Sequence, residues 1–109
     1  MERVENMKMG FVVPMHREAK HLISNFEEMT ETTTLGRRTF AGKIGEFQCT
    51  LVISGFGKVN CASSTQLLID RFDPKQIIHF GCAGALTKDL TIGDIVIATE
   101  VIEHDFQKK

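Results

Sequence analysis

The run Met7-Lys8-Met9-Gly10-Phe11-Val12-Val13-Pro14-Met15 constrains the fold more than any other part of the chain. It is apolar, rich in β-formers and too brief for a helix, as expected of a strand buried on both faces. Pro14 closes it, because proline cannot extend the hydrogen-bonded ladder. The spacing then changes at once. Ala19, Leu22, Ile23, Phe26 and Met29 recur at three and four residues, which predicts an amphipathic helix from His16 to Met29. A doubly buried strand feeding such a helix points to an α/β arrangement, in which helices cover a sheet.

The remaining chain is consistent with that frame. Glu31 to Gly36 is polar and β-branched and reads as a turn into a strand around Arg38 to Lys43. Ile44-Gly45-Glu46 supplies turn residues, and Phe47 to Ser54 has the alternation of the returning hairpin strand. After Gly55-Phe56-Gly57-Lys58, helical spacing resumes from Val59 to Phe72, with Val59, Ala62, Leu67, Leu68 and Phe72 as the inward face. Asn60 or Ser54 is the candidate cap of its start, and Asp73-Pro74 ends it. Gln76 to Phe80 and Ile95 to Ile102 are the last two predicted strands. A final strand buried on both faces needs another covering layer, so a missing stretch, a partner subunit or an exposed edge is expected beyond Phe106-Gln107-Lys108-Lys109.

Composition excludes several functions. The 13 basic and 14 acidic residues are interspersed, so no patch is offered to nucleic acid or to an anionic membrane. No apolar run approaches the roughly 20 residues that span a bilayer. Residues 1–6 mix charges ahead of too short an apolar stretch for a signal peptide, so they read as an N-terminal extension of a cytoplasmic protein. Cys49, Cys61 and Cys82 form no CxxC pair and lack a histidine at zinc spacing; they are expected as reduced, mostly buried thiols, with no metal or cofactor.

Glycines cluster where strands end, at Gly55-Phe56-Gly57 and Gly81-Cys82-Ala83-Gly84. In open α/β sheets ligands settle beyond the carboxyl ends of strands, and small residues there let a flat ring or sugar approach the backbone. Neither cluster is a phosphate loop or a dinucleotide fingerprint. Glu18 stands in the first turn of the first helix, where a carboxylate is favoured by about 0.3–1 kcal/mol, and it can act as a general base toward water. His16, His21, His79 and His104 are expected to be structural or solvated, since His104-Asp105 has no nucleophile elbow to serve.

Four strings in order carry a resemblance: Met7-Lys8-Met9-Gly10 with Met15-His16-Arg17-Glu18-Ala19; Ser54-Gly55-Phe56-Gly57-Lys58-Val59; Gly81-Cys82-Ala83-Gly84; and Ile92-Gly93-Asp94-Ile95-Val96 with His104-Asp105. Together they resemble the methylthioadenosine and S-adenosylhomocysteine nucleosidases of the purine nucleoside phosphorylase superfamily. The resemblance implies a nucleoside phosphorylase-like, three-layer-type mixed sheet with flanking helices, truncated after its fifth strand. Residues 7–109 would be the N-terminal half of that domain.

It further implies hydrolysis of the N-glycosidic bond of an adenine nucleoside. Glu18 would activate the water, and Met15, Cys82, Ala83 and Gly84 would line the nucleoside pocket. A homo-oligomer or a complementing C-terminal chain would be the partner. The later half of family members supplies a ribose-gripping Met-Glu pair and the aspartate that protonates the purine, and no residue here is assigned to either. Cys82 stands where such nucleosidases commonly carry Ser, and Pro14 and His16 replace a small and an acidic residue. Val13 to Arg17 shows no GDPxR-like phosphate loop, so water is favoured over phosphate as the nucleophile. Phosphorolysis and a noncatalytic remnant that binds a nucleoside or a partner are the alternatives.

Overall fold

A computed structural model describes residues 7–105. The extension at residues 1–6 and the end of the chain from Phe106 to Lys109 lie outside the described residues. The elements run β1 (Lys8–Val13), α1 (His16–Ile23), β2 (Glu27–Thr34), β3 (Arg37–Ile44), β4 (Phe47–Ile53), α2 (Lys58–Phe72) and β5 (Gln76–His79). They build a mixed five-stranded sheet in the order β2-β3-β4-β1-β5. β1 is parallel to both β4 and β5, while β2, β3 and β4 form an antiparallel meander.

β1 is central because its side chains supply both cores. Phe11 and Val13 join Ala19, Ile23, Phe26, Phe40, Cys49 and Leu51 under α1. Val12 turns the other way, with Val52, against Leu67 and Leu68 of α2. The period of two thus splits one apolar run between two layers, and a helix covers each face. The carboxyl ends of β1, β4 and β5 therefore point to one edge, with α1 leaving it on one face and α2 on the other.

Expectations for three regions need correction. The first helix stops at Ile23, well before Met29. Ser24 Oγ and Asn25 Nδ2 both donate to the His21 carbonyl, at 2.6 and 2.8 Å, and take up an acceptor that a further turn would have used. Phe26 is still buried, but from a turn, and Met29 is 43% exposed. The segment from Glu27 to Thr34 is a full edge strand and not a turn, irregular between Glu27 and Thr30. Its threonines and glutamates suit an edge that must not recruit other strands.

The second correction concerns α2. Neither Ser54 nor Asn60 caps it: Ser54 Oγ donates to the Gly55 carbonyl and Asn60 Nδ2 to the Phe56 carbonyl, while Gly57 holds the cap position. Val59 and Ala62 face outward; Leu67 and Leu68 are buried and Phe72 is half-buried. The third is the segment from Ile95 to Ile102, which forms no strand. Its Ile95, Ile97, Val101 and Ile102 side chains are more than four-fifths exposed. A β-prone run gains little from pairing at an edge with no layer above or below it. β2 enters the sheet and this segment stays out, so the five strands have a different membership from the one expected.

Candidate functional site

The site begins with the break at the end of β1. Pro14 bends the chain and Met15, in extended backbone (φ −132°), becomes the cap residue of α1. Its carbonyl accepts the Glu18 and Ala19 amides at 3.1 and 3.3 Å. Glu18 is therefore placed in the first turn, half-buried, with its carboxylate directed at the loop that follows β5. Glu18 Oε2 accepts the Cys82 backbone N–H at 2.7 Å, a length typical of a charge-assisted bond. Glu18 Oε1 is enclosed and has no hydrogen-bond partner among the described residues.

Gly81 makes the approach possible. A Cβ there would stand 3.1 Å from Glu18 Oε2 and 3.5 Å from Pro14 Cδ. The Cys82 thiol is exposed, and its pKa is raised above the ordinary thiol value, first by a hydrogen bond to Glu18, then by the carboxylate's charge and by burial. Arg17 acts in the opposite sense. The thiol thus stays protonated beside the carboxylate.

The neighbouring strand ends complete the edge. Ser54 N–H donates to the Val13 carbonyl and Gly55 N–H to the Pro14 carbonyl, at 2.9 and 3.1 Å, which stitches the Gly55–Gly57 cluster to the loop that carries Met15. Phe80 packs edge-on against Phe11, with centroids 6.5 Å apart, and so fixes where the Gly81–Gly84 loop departs. The structure brings Glu18 and Cys82 into contact and leaves Met15 half-buried in the adjoining turn. Ala83 and Gly84 are exposed, with open space around the position of a Gly84 Cβ.

Two further residues bear on this edge through contacts that the sequence did not signal. His79 Nδ1 lies 2.9 Å from the Val12 carbonyl, three residues before Cys82. Lys58 donates to Glu103 and Asp105 at 3.0 and 2.7 Å. Asp105 is thus engaged by Lys58, and its carboxyl is lowered from the ordinary range mainly by that hydrogen bond. Pairs 45 and 47 residues apart leave no local signal. His16 lies against Phe40, with centroids 5.7 Å apart. Of the three thiols expected to be mostly buried, only Cys49 is fully so.

A half-buried carboxylate with one oxygen tied to a loop amide and the other unpaired can accept a proton from a water or a hydroxyl brought to it. Comparison with known proteins shows the family of the chain. The profile of the Phosphorylase superfamily matches residues 8–109, and the chain belongs to that family. It is similar to the 5'-methylthioadenosine/S-adenosylhomocysteine nucleosidase of Shewanella piezotolerans, 41% identical over 99 residues, which cover 91% of this chain and 43% of that protein. The corresponding nucleosidase of an Exiguobacterium strain is 38% identical over 99 residues, with 42% of its length covered.

Among solved structures, the S-adenosylhomocysteine nucleosidase of Streptococcus pyogenes in complex with 5-methylthiotubericidin superposes with a TM-score of 0.77 at 35% identity, over 82% of this chain and 38% of that one. The Streptococcus pneumoniae enzyme with the transition-state inhibitor MT-ImmA gives the same TM-score at 34% identity, over 81% of this chain and 38% of that one. The expected α/β, nucleoside phosphorylase-like architecture is thus shown. The chain spans about two fifths of the length of the relatives it matches. No helix among the described residues is long and apolar enough to cross a membrane.

Proposed function

We propose that the chain is the N-terminal half of a cytoplasmic nucleosidase that hydrolyses the N-glycosidic bond of methylthioadenosine or S-adenosylhomocysteine. Glu18 is the general base, and Met15, Cys82, Ala83 and Gly84 line the nucleoside pocket. One observation carries the proposal: Glu18 Oε2 is fixed on the Cys82 amide while Oε1 remains enclosed and unpaired, at the edge where three strands end. Water delivered to the Glu18 carboxylate gives it a proton as the water oxygen bonds to the anomeric carbon. The electron pair of the breaking carbon–nitrogen bond leaves with the purine. The carboxylate also stabilises positive charge that develops on the sugar.

Protonation of the departing purine is assigned to none of these residues, so the proposal includes a complementing C-terminal portion. The exposed Leu86, Ile92, Ile95 and Ile97 are in keeping with such a covering partner. The test is adenine release from methylthioadenosine by this chain combined with the C-terminal portion of the Shewanella relative. Glu18→Gln should lower the rate by about 10² to 10⁴. An undiminished rate in that variant refutes the assignment, and a rate that requires phosphate favours phosphorolysis. The same exposed aliphatics motivate a second reading, a noncatalytic chain that self-associates. Gel filtration showing oligomers, together with no adenine released after complementation, would select it.

A further inference from the structure

We propose that the cleft between the β2–β3 turn and the start of α2 binds a small oxyanion, a carboxylate or a phosphate, through the guanidinium of Arg37. The cleft measures about 470 Å³ and is lined by Leu35, Gly36, Arg37, Arg38, Ser54 and Asn60 among others, with two guanidinium groups and no carboxylate. It lies at the carboxyl end of β4, apart from the contact between Glu18 and Cys82.

The two arginines are not equivalent. Arg38 is already neutralised: its Nε donates to Glu31 at 2.8 Å and its guanidinium lies 5.1 Å from the Phe40 ring centroid. Arg37 forms no ion pair among the described residues. Its Nη2 donates to Ser63 Oγ at 2.5 Å, its Nη1 reaches the Leu35 carbonyl only at 3.5 Å, and its Nε is enclosed without an acceptor among the described residues.

The local fold explains why the guanidinium is held there. Arg37 shares a face of β3 with Thr39, which is buried and opposite Val52 on the α2 side of the sheet. Ser63 receives the Arg37 hydrogen and passes its own to the Asn60 carbonyl at 3.2 Å, so the hydroxyl is committed in both roles and fixes the guanidinium plane. Acidic groups that could fill the vacancy are engaged elsewhere, Glu31 by Arg38 and Glu103 and Asp105 by Lys58. The first turn of α2 carries none. A planar guanidinium fixed by Ser63, with remaining Nη hydrogens and no counter-ion among the described residues, matches two oxygens of one anion, which a point charge would not do.

The test is titration of the isotope-labelled chain with sodium phosphate and, separately, sodium acetate at constant ionic strength. The Arg Nε–H resonances and the Gly36 and Gly55 amides would be followed. A saturable shift of the Arg37 Nε–H is expected, and the tighter of the two anions identifies the class. Binding should weaken about tenfold or more in Arg37→Gln, and measurably in Arg37→Lys, which keeps the charge and loses the fork. It should change less than about twofold in Arg38→Gln, whose charge Glu31 already meets. No saturable shift with either anion, equal binding by Arg37→Lys, or a loss that follows Arg38 overturns the proposal. Adenine release is not among the readouts, so this outcome is independent of the nucleosidase reading.

Discussion

Gly81→Ala probes how the carboxylate of Glu18 is held. The new methyl group would stand 3.1 Å from Glu18 Oε2 and 3.5 Å from Pro14 Cδ, so the first contact must yield by a few tenths of an ångström. Glu18 Oε2 ends a flexible side chain, whereas the Gly81 backbone is fixed by Phe80 on Phe11. The carboxylate is therefore the part that moves. Its bond to the Cys82 amide, 2.7 Å in the native chain, lengthens toward an ordinary hydrogen bond. Bonds to charged groups contribute about 1.5–3 kcal/mol, so losing part of this one costs about 1 kcal/mol.

Against that, alanine restricts the unfolded chain and returns about 0.4–1 kcal/mol where the native backbone accepts it. The net change in stability is within about 1 kcal/mol of zero, which for a domain of this size moves Tm by no more than about 4–8 °C. The site responds more than the fold. In the complemented enzyme, adenine release should fall by about tenfold, because small misplacements of a catalytic group weigh heavily on rate. The Cys82 amide resonance should move upfield as its bond lengthens. Gly84→Ala, with open space around its Cβ position, should alter neither Tm nor the Cys82 resonance. Thermal denaturation and amide spectra of the two variants decide the matter. A loss of more than about 10 °C in Gly81→Ala would mean that the backbone gave way first, and an unmoved Cys82 amide would mean that the carboxylate never felt the methyl group.

The Cys82 thiol should alkylate with iodoacetamide only at higher pH than a free thiol, because Glu18 raises its pKa. Since that pKa is higher in the folded chain, any stability linked to it is complete below the unfolded thiol's value and is lost as pH rises through the folded one. Glu18→Gln removes the principal cause and should shift the alkylation profile to lower pH, and an unchanged profile would show that the carboxylate does not control the thiol. Gly42→Ala places a methyl group 2.7 Å from Phe26 Cβ and 3.1 Å from the Glu27 carbonyl, where neither can retreat. Overpacking of about 1–3 kcal/mol is expected, and a Tm unchanged by that variant would refute the packing of Phe26 over β3.

What could be read from the sequence divides according to the range of the forces involved. β1, α2, the hairpin of β3 and β4, and β5 announce themselves because burial imposes a period that neighbouring residues share. β2 does not, since its side chains are exposed and its strand is made by pairing with β3 alone. The end of α1 turned on two side chains, Ser24 and Asn25, returning to one carbonyl, a competition that no apolar period records. The segment from Ile95 to Ile102 shows the converse: strong β character without a covering layer yields no strand. The candidate site was half legible for the same reason. Topology alone places the residues after β1 and β5 at one edge, so Glu18 and the Gly81–Gly84 loop could be named together although Glu18 and Cys82 are 64 residues apart. Which carboxylate oxygen is held, and that Gly81 must lack a side chain for it to be held, belong to distances of tenths of an ångström. Only the packed structure sets those, and it is there that Gly81→Ala separates a fixed general base from a carboxylate merely nearby.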